Sequence, residues 1–176
     1  MEILYHSIHY IDLIRSFLGD PKAVYAKSTR HPVAPKLASC CSSVVLDYGD
    51  MVRANFQTNH GHAYGAQHQE SYAKWEGTRG AIKTRLGLLL DYPRGLPDEF
   101  EYVELEEGRP PECKRLELRG SWFPEAFMRS VTSLMGYLDG DSATLPTSVE
   151  DAFRTMAVVE AAYESTANGG TKVNYA

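Results

Sequence analysis

Residues 42–59, SSVVLDYGDMVRANFQTN, decide the reading of the fold. Residues 42–47 form a β-branched run, Tyr48-Gly49-Asp50 is a tight turn, and residues 51–59 alternate as a partner strand, so the two pair as a hairpin. In the second arm Val52, Ala54, Phe56 and Thr58 point one way. Met51, Arg53, Asn55, Gln57 and Asn59 point the other, giving one apolar and one polar face. Working outward, residues 22–29 alternate in the same manner. Residues 71–76 and 81–86 form a second hairpin around Gly77-Thr78-Arg79-Gly80, and residues 100–105 and 114–118 are further strands. Helices flank this block. Leu4, Ile8, Ile11, Ile14 or Arg15, and Leu18 follow a helical period that Gly19 ends. Pro124 suits the first position of a later helix, with Phe127, Val131, Leu134 and Leu138 as its apolar stripe. Ser148 with Asp151 has capping-box spacing, opening a helix with Phe153, Met156, Val159 and Tyr163 on one side. Residues 172–175 read as a short final strand. Helix, strands, then helices is the α+β pattern: an open, mostly antiparallel or mixed sheet with helices packed on one face.

The 176 residues, 43% hydrophobic and 23% charged, describe a globular chain able to bury a core. Breaks at 31–38, 92–97, 107–112 and 139–147 are too short to argue for separate domains, so residues 1–176 read as one. With 18 basic against 23 acidic residues and a net charge of −5, no nucleic-acid partner is expected. No membrane partner is expected either, since no apolar run reaches about 18 residues. The N-terminus lacks a secretory signal pattern. Cys40, Cys41 and Cys113 are odd in number and lack metal or redox spacing, which fits free thiols in the cytoplasm. No G-x-G-x-x-G follows a strand, and no phosphate loop, nucleophile elbow or H-E-x-x-H helix occurs. A self-contained nucleotide enzyme is excluded on that pattern.

Two polar groups carry possible chemistry. Tyr5, His9 and Asp12 lie at i, i+4 and i+7 on one helix face, with His6 beside them. An imidazole has a pKa near neutrality, so His9 could exchange a proton with a substrate hydroxyl; Asp12 could orient its ring, and Tyr5 could donate a hydrogen bond. The alternative is an ordinary polar helix face. His60, His62 and His68 fall in the stretch NHGHAYGAQH. His60 and His62 share a direction on a strand, as metal ligands do, but no acidic residue lies within the stretch. Hydrogen bonding to a polar ligand at the sheet's rim is the preferred use, and no metal is assigned; an exposed loop is the bland alternative.

Taken together, these strings carry a resemblance. Ile8-His9-Tyr10-Ile11-Asp12-Leu13 with Leu18-Gly19-Asp20-Pro21 resembles the H-x-x-D-L…G-x-P segment of the glucose–fructose oxidoreductase / inositol dehydrogenase / MocA-like family. Trp75-Glu76-Gly77-Thr78-Arg79-Gly80-Ala81-Ile82 is similar to that family's E-G-T-x-G-x-I hairpin. SVEDAFRTMAVVEAAYESTANGGTKVN, residues 148–174, is similar to its closing helix and tail.

The resemblance implies a C-terminal substrate-binding and dimerisation domain, whose open sheet face meets a partner subunit as a homo-oligomer. It implies an NAD- or NADP-dependent hydride transfer on a sugar, polyol or related small molecule. His9 matches the acid/base position, and Asp12 the supporting acid. Many members carry Asp where this chain has Tyr5, so His6 is a further candidate for the proton-transfer role. The family's N-terminal Rossmann half, with its glycine fingerprint, is absent from these residues, so this chain alone is expected to bind no cofactor. The competing reading is a non-enzymatic sugar-binding or assembly module.

Overall fold

The computed structural model describes residues 2–65, 68–87, 95–120 and 125–170. The expected final strand at 172–175 and Pro124 lie outside them. The fold is α+β, and every strand pairing among the described residues is antiparallel. The strands fall into two sheets, and the chain divides into two compact units: Met1–His62 with Pro146–Ala176, and Ala63–Leu145. Alternation in a sequence assigns faces to strands but not neighbours, which is why the number of sheets was not legible from it.

In the first unit β1 (Ala23–Thr29), β2 (Cys41–Asp47) and β3 (Arg53–Asn59) pair in chain order. Val44 pairs with Phe56 and Leu46 with Ala54, so the hairpin forms, but β3 starts at Arg53 and the turn is longer than Tyr48-Gly49-Asp50. The inward side chains Val24, Ala26, Val44, Leu46, Ala54 and Phe56 meet Ile3, Ile11, Val158, Val159 and Ala162 in one core. Each fully buried aliphatic side chain there contributes roughly 1.5–3 kcal/mol.

Both helices of that core lie on this one face. The chain opens with a π-helical turn (Ile3–Ser7) that runs on into α1 (Ile8–Leu18), and α3 (Val149–Asn168) closes it. The wide turn changes the helix phase. The expected stripe through Leu4 and Ile8 is only half-buried, while Ile3, Ser7, Ile11 and Arg15 are buried. Ser148 caps α3 by accepting from the Asp151 amide at 3.3 Å, as its spacing predicts. Helix α3 also runs along β1. Ser165 accepts from the Ala26 amide at 2.9 Å and Thr166 from the Ser28 amide at 3.2 Å.

The second unit holds β4 (Tyr72–Gly77), β5 (Gly80–Arg85), β6 (Glu99–Glu104) and β7 (Cys113–Leu116) as a meander, with α2 (Glu125–Leu138). Trp75, Ile82 and Tyr102 share one face by register. The other carries Lys83 bridging Glu101 at 3.6 Å and Arg115 bridging Glu99 at 3.4 Å. Gly80 is required at the hairpin, because a Cβ there would lie 2.1 Å from the Val103 carbonyl oxygen. The α2 stripe is helical as predicted, but Phe127, Val131, Leu134 and Leu138 are exposed.

Candidate functional site

The opening π turn and the end of β3 bring the candidate residues together. A π turn is a strained, costly departure from α geometry that recurs at functional sites. Here the Leu4 amide, one of the helix's first unpaired donors, is bonded to the Tyr163 hydroxyl at 3.3 Å. The turn presents Tyr5 and His6 on the exposed side, with His9 one α-helical turn further on.

From the other direction, β3 delivers His60. The His60 amide donates to the Cys40 carbonyl at 3.0 Å, extending the ladder by one rung. Asn59 Oδ1 then accepts from the Gly61 amide at 2.8 Å and from the Cys41 thiol at 3.2 Å, turning the chain away. Gly61 lets the His31 ring lie directly over the backbone, since a Cβ there would come within 2.5 Å of it.

The rings of His6 and His60 stack with centroids 4.3 Å apart, tilted by 39°. Beneath them sits Glu2. Its Oε1 accepts from the Ser7 hydroxyl at 2.6 Å and lies 3.6 Å from His60 Nε2. Its Oε2 is buried with no hydrogen-bond partner, as is Nδ1 of His62. The pKa of His6 is held below the ordinary imidazole value, first by burial and then by repulsion from His60 and His9, against an opposing pull from Glu2. A neutral imidazole at pH 7 can accept a proton or bind a metal ion. The Cys41 thiol is pushed the opposite way, above its usual value, by burial and by Cys40. It therefore stays protonated, and nucleophilic use of it is disfavoured.

Two sequence candidates are placed elsewhere. Asp12 directs one carboxylate oxygen toward α3. Its Oδ1 accepts from the Thr155 hydroxyl at 2.7 Å and lies 3.8 Å from Arg15, toward α3. The buried guanidinium of Arg15 draws the carboxylate to that side of the helix. His68 belongs to the second unit, where its ring packs edge-on against Tyr64 at 5.3 Å. Tyr5, His6, His9, His60 and His62 all fall within the first unit.

Glu2 and His31 were not singled out by motif reasoning. Glu2 precedes the first helical repeat and looks like an ordinary N-terminal acid. The one available signal was that a carboxylate so near a His-x-x-His spacing shares its helix turn.

Away from the histidines, the exposed side of the first sheet holds a shallow trough of about 350 Å³ lined by Lys27, Thr29, Ser43, Gln57 and Asn59. Its polarity follows from the outward-pointing half of the alternation read in the hairpin.

Solved structures share this fold. The chain aligns structurally with yvaA of Bacillus subtilis at 17% identity and a TM-score of 0.70, over 96% of this chain and 51% of that one. An oxidoreductase from Agrobacterium radiobacter, solved with NAD+, L-tartaric acid and magnesium, aligns at 23% identity and a TM-score of 0.66, over 96% of this chain and 47% of that one. An aldose-aldose oxidoreductase from Caulobacter crescentus, complexed with glycerol, aligns at 14% identity and a TM-score of 0.66, over 96% of this chain and 46% of that one. At these identities the likeness shows the fold, and the chain spans about half the length of each structure. No curated protein sequence matches it. Residues 3–174 match the model of the oxidoreductase family, C-terminal alpha/beta domain. The chain therefore belongs to the glucose–fructose oxidoreductase / inositol dehydrogenase / MocA family, as its C-terminal domain.

Proposed function

We propose that residues 1–176 act as one substrate-binding and oligomerisation domain of a cytoplasmic NAD(P)-dependent oxidoreductase whose substrate is a sugar, polyol or related hydroxylated molecule. The observation that carries this reading is the exposed group of Tyr5, His6 and His9 on the opening helix, with His60 against it. Oxidation of a secondary alcohol needs a base for the hydroxyl proton while hydride leaves from carbon. His9 takes that role, with His6, its pKa lowered, as the neighbouring alternative. Tyr5 donates a hydrogen bond to the substrate, and His60 and His62 bind its further hydroxyls. His68 keeps the substrate-binding role proposed for it, from the second unit. NAD or NADP supplies the hydride acceptor when bound. No residue here fits the dinucleotide, because the chain has no glycine fingerprint, so it must be held by another domain.

Titrating the 176-residue chain with NADH and NADPH is expected to give no saturable heat. The same chain joined to a dinucleotide-binding domain is expected to reduce NAD+ or NADP+ with a polyhydroxylated substrate. Tight dinucleotide binding by the chain alone would overturn this division of labour.

The exposed face of the first sheet is the proposed contact between copies. It presents Tyr25 and Val45, 60% and 41% exposed, among polar side chains that include Lys27, Ser43, Arg53 and Gln57. Light scattering on the size-excluded chain is expected to return twice the 19.6 kDa monomer mass; a monomer at high concentration would rule out this face.

A non-enzymatic sugar-binding or assembly module is the second reading. Tyr5 favours it, since a phenol with pKa near 10 cannot replace a carboxylate base at neutral pH.

A further inference from the structure

We propose that Glu2, His6 and His60 form a binding site for one divalent transition-metal cation of the zinc class. Three donor atoms, one from each residue, lie within 4.8 Å of one another. Glu2 is the decisive member. Its side chain is 1% exposed. One carboxylate oxygen is held by Ser7, and the other is buried with no hydrogen-bond partner. A buried carboxylate oxygen without a donor carries a full desolvation cost, so such groups are normally paired or bound to metal. The side chains beside this carboxylate are two imidazoles: His60, with Nε2 3.6 Å from the Ser7-bound Oε1, and His6, whose ring lies against that of His60.

The donor set selects the ion. Two imidazoles and one carboxylate are the ligands of zinc, nickel and cobalt, whereas calcium and magnesium take oxygen donors almost throughout. Tetrahedral zinc bonds near 2.0–2.1 Å require donors about 3.3 Å apart. The 3.6 Å pair is slightly wider than this, and it and the wider separations close by rotation of the His6 and His60 rings, which are on the exposed side. Ser7 then acts as a supporting partner that fixes the carboxylate. Three protein donors leave at least one coordination position open, the pattern of a metal that meets a ligand rather than one that only braces a fold. The open side is that of the exposed histidines. A cation there, beside His9, would present itself to a hydroxyl or carboxylate oxygen of a bound molecule. That last step rests on the oxidoreductase reading; the cation site does not.

The test is calorimetric titration of the untagged, chelator-treated chain with zinc sulfate. One zinc per chain is expected, with a dissociation constant at or below the micromolar range. Glu2→Gln and His60→Ala should each weaken binding at least about 10-fold, with the far-ultraviolet circular dichroism of the parent retained. Cys113→Ser, which removes an exposed thiol outside the cluster, should bind as the parent does. If Glu2→Gln fails to fold, His60→Ala carries the test, since that side chain is 44% exposed. No saturable binding by the parent, affinity unchanged in the folded variants, or affinity lost in Cys113→Ser would each overturn the proposal. None of these readouts involves dinucleotide or turnover, so their failure leaves the hydride-transfer reading standing on its own test.

Discussion

Replacing His9 with Ala in the protein joined to its dinucleotide domain is expected to lower kcat by about 10²–10⁴-fold, the usual worth of a positioned general base. On the proposed division of labour, the affinity for NAD(P) should not change. Imidazole is the side-chain type suited to taking a hydroxyl proton near neutral pH, whereas a phenol serves better as a hydrogen-bond donor. Tyr5→Phe should therefore cost less than His9→Ala, chiefly in KM. Asp12 accepts from the Thr155 hydroxyl through Oδ1, so Asp12→Asn is expected to alter stability, and a matching loss of turnover would show that it also supports His9. Steady-state kinetics with saturating dinucleotide separates these outcomes. If His9→Ala keeps full turnover and a His6 variant does not, the base is His6.

The second large effect concerns the Arg15 clamp. Replacing Asp20 and Asp151 together by Ala is expected to destabilise the chain by about 3 kcal/mol, the lower end of the range for leaving a buried charge without its partner. The side chain of Arg15 is 5% exposed. Its Nη2 donates to Asp20 at 2.7 Å and to Asp151 at 3.1 Å, and its Nε donates to Asp20 at 2.9 Å. Without the two acids the guanidinium keeps Thr155, the Asp151 carbonyl and, at 3.8 Å, the Asp12 carboxylate, but loses both of its direct carboxylate hydrogen bonds. The effect sits at the low end because Asp20 and Asp151 are 43% and 36% exposed, so solvent screens part of each attraction. Arg15→Met should cost less than the double variant. It removes the charge that is expensive to bury and leaves two acids that can rehydrate. Urea unfolding orders the two, and a melting point lower by roughly 6–12 °C is expected for the double variant.

Acid acts on the same clamp. Arg15 and Arg154 hold the Asp20 carboxyl below its ordinary pKa. Its contribution to stability is then fully present above the unfolded carboxylate value near 3.9, and is lost as pH falls through the lower, folded value. Thermal melts should decline below about pH 4, and Asp20→Asn should flatten that decline.

The hairpin at 42–59 and its two faces were legible because a period of two is enforced wherever one side of a sheet is buried. The 77–80 turn was legible because its glycines tolerate backbone approach that other residues do not. The α3 cap followed from Ser148 and Asp151. Other features resisted reading because they depend on phase or on distant partners. Periodicity offered Ile14 or Arg15 for the inner face. The π turn and three carboxylates across α1, α3 and the loop after α1 decide for Arg15, and no local pattern records them. The same turn brings Glu2 against His60, a contact between opposite ends of the unit's first segment. Asp12 kept its predicted position and changed its partner.

The hydroxyls of Ser165 and Thr166 on the β1 amides have a consequence for how the first sheet could grow. An uncovered edge strand offers a row of free donors to any passing chain. On β1 these two donors are already taken by side chains of the protein's own helix, which no incoming backbone can outcompete without peeling α3 away. An incoming strand finds these two donors occupied, so growth of the sheet from β1 is opposed by the protein's own closing helix.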